Sequence, residues 1–78
     1  MKKIFVGQLE KDMHVTINKL RSSNKTLVEF KLIDVVFCNI DEEFEHAELT
    51  LQDVWTNEVH RETWYTVETI RLVESRMV

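Results

Sequence analysis

The densest run of chemically capable side chains is Asp41-Glu42-Glu43-Phe44-Glu45-His46-Ala47-Glu48, which sets five carboxylates and one imidazole within eight residues. Oxygen ligands at this density suit a hard divalent cation, but a calcium loop also needs a glycine at its sharp turn and a fixed ligand register, and both are missing. The same charges form a row that a basic groove would meet much as it meets phosphates. As a block of like charge it also fits a solvated loop or edge. The functional reading is an acidic protein-binding face made by Asp41, Glu42, Glu43, Glu45 and Glu48, with no metal.

Catalytic constellations are missing. His14, His46 and His60 lie in three separate segments, and no H-x-x-x-H or H-E-x-x-H spacing joins any two. Ser22, Ser23 and Ser75 have no nucleophile-elbow context. Cys38, the only cysteine, ends an apolar stretch where a thiol is expected to be packed and inert. A single cysteine also excludes an intrachain disulfide and a cysteine-based zinc site, which fits a reducing, cytoplasmic setting. The single glycine, Gly7, leaves nothing from which to build a phosphate-cradling loop. The expectation is a protein that is not an enzyme and needs no cofactor.

Aromatic and basic residues offer a second chemistry. Trp55, Trp64 and Tyr65 could stack on bases, with Lys19, Arg21 and Lys25 holding phosphate, as small barrels do with nucleotides or single strands. Against this, both tryptophans fall in the acidic part of a chain of net charge −4. Otherwise these aromatics are core residues, or interface anchors for a protein partner or a second copy.

Charge is divided along the chain. Residues 1–31 hold seven Lys/Arg against three Asp/Glu, and residues 32–78 hold three against eleven. Folding both parts around one core predicts a dipolar surface, which suits binding better than catalysis. Seventy-eight residues, 44% hydrophobic and 31% charged, without proline, make one globular domain over 1–78 rather than a disordered chain. No run reaches membrane-spanning length, and the Met1-Lys2-Lys3 start is not followed by an apolar signal segment. In size and composition the chain resembles phage-encoded inhibitors of host enzymes or defence complexes.

The elements that must position these residues are read from period. Met13, Val15 and Ile17 alternate with polar neighbours, predicting a strand over 13–20 after a short one at Ile4–Val6, with Glu10-Lys11-Asp12 turning the chain between them. Arg21–Lys25 reads as a hairpin connection. In the long run 27–38, the inward phase moves from Val28, Phe30 and Leu32 to Ile33, Val35 and Phe37, a one-residue slip that predicts a bulge. Residues 41–54 show both a capped helical pattern and the alternation Ala47, Leu49, Leu51; the strand, over 47–55, is preferred. A turn at Thr56-Asn57-Glu58, a strand over 60–67, a short 3₁₀ step at Glu68-Thr69 and a strand over 70–74 complete the chain, with fraying from Ser75. With one glycine available, Asn18, Asn24, Asn39 and Asn57 are left to supply the turns. The fold class is all-β, with at most one short helix: a small antiparallel barrel of five to six strands, SH3-like or OB-like.

Overall fold

A computed structural model describes residues 2–21, 24–41 and 44–74, with side chains described at 2–18, 27–38 and 45–74. The described residues form six strands, β1 (Lys2–Phe5), β2 (His14–Arg21), β3 (Asn24–Asp41), β4 (Phe44–Asp53), β5 (Val59–Tyr65) and β6 (Thr69–Leu72), with a 3₁₀ turn at Val6–Gln8. All pairings are antiparallel, within one sheet of order β1-β6-β2-β3-β4-β5. The all-β expectation holds. The sheet curls like a barrel but is not closed.

The curl follows from the chain's own connections. In a flat sheet β6 and β5 would lie four strand spacings apart, about 19 Å. Only Thr66–Glu68 joins them, and four Cα steps reach at most about 14 Å. The sheet must bend, and the 3₁₀ turn fastens the bend: Val6 N–H donates to Glu68 O at 2.8 Å and Gly7 N–H to Thr66 O at 3.0 Å. No ladder forms between β1 and β5, so both remain edges.

The bulge falls where the phase slip places it. Leu32 faces Leu51 and Asp34 faces Thr50, which leaves Ile33 as the extra residue. Beyond it Val35 pairs with Leu49 and Phe37 with Ala47, on the side that Leu32 occupied before it. Extended, the 18 residues of β3 would run about 60 Å at ~3.3 Å each, whereas the molecule's longest dimension is 36 Å. The bulge and the coiling of the sheet account for the difference.

Alternation on all six strands builds one core. Val15 and Ile17, Val28, Phe30 and Leu32, Ala47, Leu49 and Leu51, and Ile70 and Leu72 point inward, and Val6 and Leu9 cap them. Ile4, Met13, Val35 and Trp64 pack against this set. Phe30 is fully buried, and its ring meets His60 edge-on at 5.9 Å, so His60 belongs to the inner wall.

Several local expectations need correction. The strand preferred over a helix for this stretch forms, but over 44–53 rather than 47–55, with Ala47, Leu49 and Leu51 reaching the core at period two. A 3₁₀ turn is found at Val6–Gln8, whereas of Glu68-Thr69, Glu68 lies in the turn into β6 and Thr69 begins that strand. The first strand therefore ends at Phe5 rather than Val6. Asn18, Asn24 and Asn39 lie within strands. Left-handed backbone is instead supplied by Asn57 (φ 63°) and Asp12 (φ 74°), both short polar residues that tolerate it. The 21–25 connection shrinks to Ser22-Ser23, which lies outside the described residues, as do Ser75–Val78.

Candidate functional site

The long strand β3 sets the charge geometry. It leaves the β2–β3 hairpin, where Lys19 pairs with Thr26 and Leu20 with Lys25, and ends in the β3–β4 hairpin, where Asp41 pairs with Phe44. Arg21 closes the first hairpin opposite Asn24. The basic residues Lys19, Arg21 and Lys25 and the acidic Asp41, Glu42 and Glu43 thus belong to hairpins at the two ends of one strand. Glu42 and Glu43 themselves lie outside the described residues. Glu45 and Glu48 follow on β4, both exposed.

Strand pairing assigns the outer face of β3-β4-β5 row by row. Cys38, His46 and Tyr65 form one row; Val36, Glu48 and Thr63 the next; Asp34, Thr50 and Arg61 the third. A shallow cleft of about 410 Å³ lies over the last two rows, bringing the Asp34 and Glu48 carboxylates and the Arg61 guanidinium to one surface. Val36, Val59 and Tyr65 are large apolar side chains exposed on this face. Phe37, although in the inward phase, is 49% exposed, because it sits beyond the core towards the acidic hairpin. Cys38 is half-buried on the outer face, with Sγ 3.9 Å from Val36 O, rather than packed inward. The bulge at Ile33 is the cause, since it turns Val35 and Phe37 to the inside.

The three aromatics are separated. Trp64 alternates inward and packs on the core, whereas Tyr65, its neighbour, faces out at 53% exposure. Trp55, 84% exposed, sits in the β4–β5 turn, one strand length of about 20 Å from Tyr65. That turn is built by Asp53. Its buried carboxylate accepts from the N–H of Trp55 at 2.8 Å and of Thr56 at 3.3 Å, while its carbonyl accepts from Asn57 N–H at 2.9 Å. Sequence reading passed over Asp53; an Asp followed four residues later by Asn is the turn signal that marks it.

The edge of β5 is the feature least visible in the sequence. Asp53 N–H donates to Glu58 O and Thr66 N–H to Glu45 O, so even-numbered positions of this hairpin bond to β4. In an antiparallel ladder the odd positions then aim their N–H and C=O groups away from β4. At Tyr65 those groups are capped, the N–H donating to Glu68 Oε2 at 2.8 Å and the carbonyl accepting from Glu68 N–H at 3.0 Å. On the other edge, Phe5 N–H donates to Gln8 Oε1 at 3.2 Å, which leaves only Lys3 facing out of β1. Val59, Arg61 and Thr63 keep an open backbone edge.

Other polar groups serve the fold. His14 Nδ1 lies 2.9 Å from Glu29 Oε2, and Lys31 Nζ lies 3.8 Å from Asp12 Oδ1. Among the described residues no three His, Cys, Asp or Glu side chains are grouped to hold a metal ion, and no helix is long and apolar enough to cross a membrane. Comparison of the chain with protein-family models, curated proteins and solved structures gives no match.

Proposed function

We propose that this chain is a non-enzymatic protein-binding module that takes up an extended segment of a partner along the open edge of β5, beside its acidic β3–β4 hairpin. One observation carries the reading: β5 is the last strand of the sheet, and among the described residues no further strand pairs with the backbone groups that Val59, Arg61 and Thr63 aim away from β4, nor does a proline or bulge interrupt them. Folded proteins generally block such an edge, and strand addition is the recognition mode that uses one. Val59 and Tyr65 supply apolar anchors at its two ends. Glu45 and Glu48 on the adjoining strand, with Asp41, Glu42 and Glu43 at the hairpin, select a basic partner and speed its approach. A phage-type inhibitor that masks a basic surface of a host protein would work in this way.

The base-stacking alternative draws less support. A run of stacked bases needs several aromatics grouped beside the basic hairpin, but Trp55 lies in the β4–β5 turn and Tyr65 at the acidic end of β3, which leaves Trp64 alone on that side.

The test is a tagged pull-down from bacterial lysate with and without nuclease, comparing wild type with Thr63→Pro and with Glu42, Glu43, Glu45 and Glu48 changed to Gln. Proline at 63 removes an edge-facing N–H without touching the β4 ladder, a position where strands tolerate it. A stoichiometric protein that survives nuclease and is lost from both variants supports the reading. Nucleic acid that co-purifies equally with all three proteins refutes it.

A further inference from the structure

A second feature lies across the molecule, where β2 and β6 part. Their ladder runs from Val73 N–H donating to His14 O through the pair Thr16 and Arg71, then stops. By the same parity, the next backbone groups, those of Asn18 and Thr69, aim into the gap. The gap opens into a cavity of about 240 Å³ whose lining includes Trp64, reached from the inner wall, with Lys3 and Arg71 at the rim.

Lys3 and Arg71 are direct cross-strand neighbours. Like charges so placed repel, and native sheets usually interleave a counter-charge. Here neither cation has an ion-pair partner among the described residues. Across β2 on the same face, Glu29 follows Thr16 in the row, and its carboxylate lies 2.9 Å from His14 Nδ1. A protein of net charge −4 thus keeps two neighbouring cations with no counter-charge among the described residues, at the mouth of a notch whose lining includes an indole.

We propose that this notch binds a small anion carrying a planar ring, a phosphate monoester of the mononucleotide type. The phosphate sits between Lys3 and Arg71, whose ammonium and guanidinium donate charge-assisted hydrogen bonds. The ring enters the notch against Trp64, and the freed backbone groups of Asn18 and Thr69 pair with its edge polar atoms. A cavity of about 240 Å³ is smaller than the usual range for drug-sized ligands, so it takes one ring and not a run of bases. The site is distinct from the β5 edge and does not depend on it.

The experiment uses the full chain with Trp55→Phe, so that emission reports Trp64 alone, titrated with adenosine 5′-monophosphate, adenosine and inorganic phosphate. The expected result is saturable quenching by the monophosphate, with adenosine and phosphate each binding about tenfold more weakly. Arg71→Gln and Lys3→Gln, both surface changes that leave the core intact, should each weaken the monophosphate about tenfold. Binding of adenosine as tight as that of the monophosphate overturns the proposal. So does unchanged affinity in Arg71→Gln, or absence of any response up to about 10 mM monophosphate.

Discussion

Replacing Asp53 by alanine tests whether one buried carboxylate holds the β4–β5 hairpin. Asp53 is 2% exposed, and its Oδ1 accepts two backbone N–H groups, from Trp55 and Thr56. Hydrogen bonds to an ionised acceptor contribute about 1.5–3 kcal/mol each when both partners are dry. Trp55 and Thr56 are exposed, so water recovers part of that loss when the acceptor is removed. A cap-like loss near 2 kcal/mol remains. For a domain of this size each kcal/mol moves the melting temperature by about 4–8 °C, which predicts a fall of about 8–16 °C in Asp53→Ala. Asp53→Asn keeps a carbonyl oxygen in place and should lose less than half as much. Thermal and urea melts followed by circular dichroism measure both. An alanine variant within about 0.5 kcal/mol of wild type would show that the turn holds itself, and the account of Asp53 given above would be wrong.

Other expectations follow from the same geometry. Asn57 is left-handed at φ 63°, so Asn57→Ala should cost about 1 kcal/mol in the same melts while Asn57→Gly is neutral or better. Deleting Ile33 removes the extra residue but keeps Asp34 opposite Thr50 and Val35 and Phe37 on the inner face, so cooperative unfolding should survive, whereas deleting Ile33 and Asp34 together throws Val35 and Phe37 to the opposite face and should abolish it. Phe30→Ala should lose about 3–5 kcal/mol of a total near 4–12, read as a fall in the urea midpoint by a quarter or more; an unchanged midpoint would contradict the burial of its ring.

The parts of the fold that sequence made legible are those written in side-chain period. Alternation at Met13, Val15 and Ile17 placed β2, and the slip at Leu32-Ile33 located the bulge, because burial on one face acts residue by residue. The 41–54 stretch satisfied two periods at once, and only the depth of the core on the β4 side decides between them. The edge of β5 and the notch at β6 escaped notice for another reason. Both consist of backbone groups that lost a neighbour, and which strand lacks a neighbour is set by order in the sheet, not by residue type. Likewise Lys3 and Arg71, 68 positions apart, become a charge pair only through β1·β6 pairing. Trp55, Trp64 and Tyr65 were visible as a group, but their division between core and surface required the register of β5.

The strand β1 has a further consequence for how the molecule opens. It is four residues long, touches the sheet only through β6, and its register joins Lys2 to Leu72 across nearly the whole chain. The two central hairpins close from residues near in sequence, but this pairing has to pay the largest loop-closure entropy in the domain. It is therefore last to dock and first to peel away, a low-energy opening of the kind that amide exchange resolves from global unfolding. Each such excursion bares the edge of β6 and the floor beneath Val6. A protease, a chaperone or a second chain would meet the domain there before the rest of the sheet yields.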